Sequence, residues 1–280
     1  MIIKRLHSFN EYQKHRLLMA SEYRHRREYE MGLQENKHGA FEIAGFSYPA
    51  GEKVTFLVDF AYSSGGNVNW RERLVCPKTG LINRQRAVVH LMDSELGVIP
   101  QEKVYITEQV TALYNLLAVK HPGLVGSEYL GDFIPRGGFD GRGVRNEDLT
   151  RLTFENESFD AILSFDCFEH MPDFATGMKE VARVVKPRGR LMWSVPFRSD
   201  LERNLRRATL EANGGIIHHE PPEYHGDPIN SDGCLCFTHF GWEMLEQVKK
   251  AGFSQAYALA YWSDIFGYLG GEQFVFVAQK

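Results

Sequence analysis

Cysteine is scarce in this chain: there are four in 280 residues, Cys76, Cys167, Cys234 and Cys236, without regular spacing. That excludes a small disulfide-built scaffold and fits a reducing compartment. No stretch approaches ~18 consecutive apolar residues, so no helical membrane span is expected. The opening MIIKRLHSFNEYQKHRL has no apolar core of leader-peptide length. A soluble, cytoplasmic protein is therefore the expectation. A basic excess is also missing. Lys and Arg number 32 against 36 Asp and Glu, a formal charge of −4, which argues against a general nucleic-acid binder. Repeats and low-complexity tracts are absent. No G-x-G-x-x-G follows any strand-like run, which counts against a dinucleotide enzyme. Composition is otherwise ordinary for a globular protein, with 43% hydrophobic and 24% charged residues.

What is present divides the chain. Residues 9–34 are rich in Glu, Arg, Tyr and Leu with few breakers and read as a helix. Its YRHRREYE run reads as a solvated face of mixed charge. KVTFLVDFAY is strand-like and is followed by the turn-like SSGGN. RERLVCPKTGLINRQRA has the outline of a zinc-knuckle hairpin. It carries Cys76 alone, however, and reads as a structural turn leading into a helix.

From residue 99 strands alternate with helices. The strands are KVYIT, LVGSEYL, SFDAILSFD, RLMWSVPF, QAYALAYW and EQFVFVAQK. The helices are VTALYNLLAVKH, MKEVARVVKPRG and WEMLEQVKKAGF. This order predicts an α/β fold with a doubly wound, mostly parallel sheet, whose ligands lie beyond the carboxyl ends of the strands. Residues 1–98 form an amino-terminal extension, a helix plus a β-hairpin, before a domain spanning 99–280. PRGGFDGRG reads as a flexible connection. A long insert at about 198–240 interrupts the domain and is expected to overhang the carboxyl edge. Within it, RRATLEANGGIIHHE reads as a hairpin turning at Asn213-Gly214-Gly215.

One ordered run carries a resemblance: Asp148, then Leu152-Thr153-Phe154, Ser158-Phe159-Asp160, Glu169-His170, Glu180, Arg183 and KPRGRL. In this order the run resembles the class I S-adenosylmethionine-dependent methyltransferases, in particular the small-molecule branch called type 11. The resemblance implies a seven-stranded Rossmann-like methyltransferase fold and S-adenosyl-L-methionine as cofactor. It places a ribose-binding acid at the tip of the second strand, here Glu128 with Tyr129 beside it, since one carboxylate accepts both hydroxyls of a diol. Asp148 falls on the adenine-side acid, though it also suits capping of the next turn. Leu149 would cover the ring. Ser164 and Phe165 end the fourth strand beside the methionine part.

The family's glycine-rich loop is replaced here by KVYITEQVTALYN, which has no glycine. The cofactor has no phosphate for such glycines to approach. Glu108 or Gln109 stand in that place as candidate contacts to the cofactor's amino group or ribose edge.

The acceptor side is read from residue chemistry. Histidine titrates near neutrality and is the usual proton acceptor. His170 directly follows the fourth strand, and His225 sits in the rigid, proline-bounded loop PPEYHGDP. These two are the candidate catalytic residues. Asp166, His219, Glu223, Tyr224 and His239 are the candidate substrate contacts. HHEPPEYH with CLC is ligand-rich, but the adjacent His218 and His219 would point apart on a strand, and no metal site is assigned. The expected activity is methyl transfer to a small-molecule or glycan acceptor, most simply at oxygen, with no nucleic-acid partner. Two alternatives remain: a degenerate member that keeps the fold as a binding or scaffold protein, and a methyltransferase acting on a protein.

Overall fold

The computed structural model describes residues 1–63 and 65–280; Ser64, inside the SSGGN turn, lies outside the described residues. The chain forms two compact units. One comprises residues 1–6, 10–97 and 258–275; the other comprises 7–9, 98–257 and 276–280.

The first unit begins with β1 (Ile2–Leu6), which pairs antiparallel with residues 258–262. Five residues with no alternation of apolar and polar positions carry no strand signal of their own, and this edge strand is not among those expected. Residues 9–34, expected as one helix, form α1 (Phe9–Leu18) and α2 (Ala20–Gln34). The break falls at Met19, with φ −95° and ψ 9°. No Gly or Pro marks it, so composition alone had nothing to flag. β2 (Phe41–Ser47) and β3 (Glu52–Val58) form the hairpin. The CPKTG turn follows, closed by Gly80 N donating to Cys76 O at 2.8 Å, and leads into α3 (Asn83–Leu91). Val54, Phe56, Trp70, Leu74, Trp262 and Leu269 build this unit's core around Cys76. Arg86 is fully buried there. Its guanidinium lies 3.8 Å from the Phe56 ring centre and donates to the carbonyls of Leu74, Phe266 and Gly267. Those acceptors are what makes a buried cation tolerable.

The second unit carries the alternation read from the sequence. β4 (Val104–Ile106) leads to α4 (Ala112–Lys120), whose first turn is capped by Thr111 Oγ1 accepting from Tyr114 N at 3.1 Å. β5 (Val125–Gly126) is short; beyond it Glu128 makes only an isolated parallel bridge with Asn146. β6 (Phe159–Phe165) is almost wholly buried. α5 (Phe174–Val184) is capped by Asp173 and buries Phe174, Met178, Val181 and Val184. It stops short of the expected end at Pro187–Gly189, and Val185–Ser194 is one strand, β7. Pro187 lacks an N–H and biases Lys186 toward extended backbone, which favours strand over a further helical turn.

The insert folds as β8 (Leu205–Arg206), β9 (Ala208–Leu210), β10 (Ile216–His218), β11 (Tyr224–His225), β12 (Cys234–Leu235) and β13 (Thr238–His239). The β9–β10 hairpin turns where Asn213-Gly214-Gly215 predicted. α6 (Glu243–Lys250) buries Met244, Leu245 and Val248.

β14 (Gln255–Ser263) and β15 (Tyr268–Gln279) complete a mixed seven-stranded sheet of order β1-β14-β15-β7-β6-β4-β5. The pairs β7–β6, β6–β4 and β4–β5 are parallel. This is the expected Rossmann-like sheet. Among the described residues no helix is long and apolar enough to cross a membrane.

Candidate active site

β4 lies between β5 and β6, so the chain leaves it in one direction and returns on its other side. Such a reversal opens a crevice at the carboxyl ends, where ligands of open α/β sheets bind. The tips of β4 and β6 are tied together by Thr107 Oγ1 donating to Ser164 Oγ at 3.0 Å.

The glycine-free loop is held from within. Glu128 Oε1 accepts from the backbone N–H of Gln109 at 2.7 Å and of Val110 at 3.1 Å. Gln109 Nε2 donates to Gly143 O at 3.0 Å, and its Oε1 accepts from Arg145 N at 2.8 Å. Glu108 accepts from the Thr111 hydroxyl. The polar side chains expected to face a cofactor therefore serve first to fix the loop. The loop packs closely on the end of β5 at Gly126: a Cβ there would lie 2.5 Å from Tyr114 Cε2 and 2.8 Å from Glu108 O. Burial pushes the Glu128 carboxyl above its ordinary value, against the two N–H bonds.

Asp148 realises the capping alternative, its Oδ1 accepting from Thr150 N at 2.8 Å and Thr150 Oγ1 at 2.7 Å. It also lines, with Tyr129, Asp132, Ile134, Pro135 and Arg136, a cleft of about 160 Å³. Leu149 is buried, and Phe165 is half-buried at the tip of β6. Asp166 takes a left-handed φ of 49° and accepts from Ser194 Oγ at 2.9 Å. The neighbouring acid Glu147, which the sequence reading passed over, is buried. It accepts from Arg145 Nε at 2.8 Å and Thr153 N at 2.9 Å, fixing the turn after Asp148. Glu180 and Arg183 clamp the same turn through Leu152 N and the carbonyls of Leu152 and Phe154.

The insert docks on the segment after β6 through Phe237 N donating to Glu169 O at 2.7 Å. This gathers a second cluster. Glu169 is wholly buried, and neither side-chain oxygen has a hydrogen-bond partner. Its Oε1 lies 3.5 Å from His225 Nδ1 and 3.6 Å from His170 Nε2. Both are ion-pair separations, longer than hydrogen bonds. His170 Nδ1 lies 2.9 Å from Leu235 O; a carbonyl only accepts, so Nδ1 carries the proton and Nε2 the lone pair of the neutral ring. His225 Nε2 donates to Glu223 Oε1 at 2.9 Å. The same oxygen lies 3.1 Å from His239 Nε2, and Glu223 Oε2 lies 3.2 Å from Arg207. The His170 and His225 rings meet edge to face at 5.0 Å.

The Glu169 carboxylate, with Glu223 adding to it, pushes His225 up to about 9. Burial pushes Glu169 up. Burial also works to raise Glu223, but the bonds from His225 and His239 outweigh it and leave that carboxyl below its ordinary range. Cys236, buried beside them, is pushed up to about 12 by desolvation.

Four expected residues thus meet: His170, His225, Glu223 and His239. Of the other three, Asp166 is held by Ser194 Oγ at the end of β6, and two stand on the insert away from the cluster. His219 Nε2 pairs with Thr209 Oγ1 at 2.8 Å on the exposed hairpin, and Tyr224 is 59% exposed. Glu169, Cys236 and Arg207 complete the cluster without having been proposed for it. Glu169 stands in the quoted Glu-His pair, but only its burial and unpartnered oxygens mark it out.

A family model described as "Methyltransferase domain" matches residues 133–193. No match appears among curated proteins. Among solved structures, a putative S-adenosylmethionine-dependent methyltransferase from Listeria monocytogenes is 15% identical, with 68% of this chain and 96% of that one covered and a TM-score of 0.43. A 1,6-didemethyltoxoflavin-N1-methyltransferase from Burkholderia thailandensis, solved with S-adenosylhomocysteine, is 16% identical, covering 70% and 77%, with a TM-score of 0.39. The YcgJ protein from Bacillus subtilis is 19% identical with a TM-score of 0.33; 40% of this chain aligns, spanning about half, 51%, of that one.

Proposed function

We propose that this chain, which matches a methyltransferase-domain model across residues 133–193, is a class I S-adenosylmethionine-dependent methyltransferase that methylates a hydroxyl of a small-molecule or glycan acceptor held against the His170–His225 cluster. One observation carries the reading. The cluster stands just past the carboxyl end of β6, at the edge where the sheet order reverses and where the candidate cofactor residues Glu128 and Ser164 also stand.

The donor set fits the cofactor. The cleft at Tyr129 and Asp148 offers an aromatic face and a carboxylate for an adenine, and buried Leu149, next in the chain, is the candidate to cover the ring. Glu128 retains Oε2 for a ribose diol while Oε1 holds the loop. Ser164 and Phe165, at the tip of β6, are the candidates to stand beside the methionine part. When bound, the cofactor supplies a methyl group already activated on a positive sulfur. The chain's own residues then orient an acceptor oxygen, an effect that contributes ~7–11 kcal/mol in well-positioned reactions. His170 and His225 are the candidate catalytic pair for the hydroxyl proton, since the His170 Nε2 lone pair faces the cluster. Glu223, held by Arg207 and His239, fixes the His225 ring. Asp166 is a further candidate contact, and His219 and Tyr224 would reach only an extended acceptor. Four free cysteines among the described residues support a cytoplasmic location.

A second reading, a methyltransferase-fold binding protein, draws on the loop: Gln109 is engaged at both ends of its amide. Calorimetric titration with S-adenosylmethionine separates the two, because a scaffold of that type gives no heat. A panel of sugar and phenol hydroxyls, carboxylates, amines and protein substrates, read by S-adenosylhomocysteine release, tests the acceptor class. Turnover confined to amines or proteins would overturn the hydroxyl assignment.

A further inference from the structure

We propose that Glu169 Oε, His170 Nε2 and His225 Nδ1 form a binding site for one divalent transition-metal ion of the zinc class. What the ion would do in methyl transfer rests on the acceptor-side reading above; whether it binds does not.

A carboxylate with both oxygens buried and unpartnered is costly to fold. A cation between that carboxylate and the two rings removes the cost. The rings are already prepared as ligands. Metal-bound histidines donate their second N–H to a carbonyl or carboxylate, which fixes the tautomer and aims the lone pair. His170 has this arrangement through Leu235 O at 2.9 Å, and His225 has it through Glu223 Oε1 at 2.9 Å. Glu223 is in turn held by Arg207 and His239. Both remaining ring nitrogens therefore face Glu169, and the ion would take the place of any proton they carry.

The separations agree. Ligand atoms 2.0–2.2 Å from a tetrahedral zinc lie about 3.4 Å from one another. Glu169 Oε1 is 3.5 Å from one ring nitrogen and 3.6 Å from the other, and all three ligand atoms lie within 4.8 Å of each other. Direct charge-assisted hydrogen bonds would be shorter, about 2.7–2.9 Å. Two imidazoles with one carboxylate favour zinc and its transition-metal neighbours over magnesium or calcium. Three protein ligands leave a fourth position, where an acceptor hydroxyl would coordinate and release its proton to solvent water, since with the ion bound His170 Nε2 and His225 Nδ1 are ligands and no longer take that proton themselves.

The adjacent Glu223–Cys236–His239 group is the rival site. There Glu223 already takes His225 and His239 on one oxygen and Arg207 on the other. The Cys236 thiol donates toward Thr238 O at 3.6 Å. The Glu223 carboxylate is thus hydrogen-bonded or ion-paired by the protein on both oxygens, whereas Glu169 Oε1 faces the two rings at 3.5 and 3.6 Å and neither Glu169 oxygen makes a hydrogen bond.

The test is a cobalt(II) titration of the full-length protein after dialysis against a chelator, followed by competition with zinc. The expected result is visible absorption of tetrahedral cobalt saturating at one equivalent and displaced by zinc. Glu169→Gln and His170→Ala should each weaken cobalt affinity by about a hundredfold or more, since even loss of a supporting partner costs 10–100-fold. His218→Ala, on the exposed β10 strand, should leave affinity unchanged. The wild-type titration requires no variant, so a variant that fails to fold does not protect the proposal.

No visible band would overturn it, as would wild-type affinity in Glu169→Gln. A thiolate-to-cobalt band abolished by Cys236→Ser would move the ion to the rival group and equally overturn it. Stoichiometric metal without methylation of any hydroxyl sinks the functional reading and leaves the site standing. Methylation by protein that takes up no metal does the reverse.

Discussion

Glu128 is where the cofactor reading and the loop architecture meet, and replacing it by glutamine separates them. Its Oε1 holds two backbone N–H groups, at 2.7 and 3.1 Å. Hydrogen bonds to a charged acceptor contribute about 1.5–3 kcal/mol each, against 0.5–1.5 kcal/mol for neutral ones. Glu128→Gln keeps an acceptor oxygen in place but loses the charge. Burial already disfavours that charge, as the upward shift of the carboxyl indicates, so part of the loss is returned. The net expectation is destabilisation by about 1 kcal/mol. Glu128→Ala leaves both N–H groups without their acceptor and should cost about 3 kcal/mol. Affinity for S-adenosylmethionine should respond differently. If Oε2 accepts from a ribose diol, the amide presents a donor where an acceptor is needed, and affinity should fall about 10–100-fold, or 1.4–2.8 kcal/mol. Urea unfolding gives the first quantity and isothermal calorimetry the second. The decisive result is calorimetric: a Glu128→Gln protein that is folded and binds the cofactor as tightly as wild type would refute the diol contact and leave Glu128 as a loop tie alone.

Arg145→Met should destabilise by about 3 kcal/mol in urea, because Glu147 keeps a buried charge without its partner; an unchanged midpoint would contradict that pairing. Gly126→Ala should cost about 1–3 kcal/mol and distort the loop after β4, since the new methyl meets Tyr114 Cε2 and Glu108 O. Wild-type stability there would mean the loop yields freely. His90, stacked on Tyr48 at 3.8 Å, is lowered to about 4 chiefly by burial. A depressed folded value stabilises the neutral ring, so its contribution is complete above pH 6.5 and is lost as pH falls from 6.5 toward 4. Comparing urea midpoints of wild type and His90→Gln across that range should show the wild-type advantage shrinking with acid; a constant gap would dismiss the shift.

Local chemistry made much of the fold legible. The buried β6 strand, the α5 stripe and the Asn-Gly-Gly hairpin each follow from periodicity or turn residues within a few positions. The misses are of two kinds, local and long-range. Met19 breaks a helix with no breaker residue, Lys186-Pro187 converts an expected helix end into strand, and β1 exists only because a distant strand offers it an edge. The motif run from Asp148 to KPRGRL identified the domain class, and its Glu-x-x-Arg pair proved to be a clamp on a turn.

By itself, the order of residues settled which chemistries are available: histidines after β6 and in the insert, acids at the strand tips, and no glycine in the first loop. Tertiary structure decided which of these act together. It turned Gln109 inward, placed a close backbone approach at Gly126, left His219 outside, and brought His170 and His225 around a buried carboxylate whose oxygens make no hydrogen bond. The physical reason is that a side chain's partners, its exposure to water and the lone pair it presents are properties of segments far apart in the chain, and periodicity reports only on neighbours.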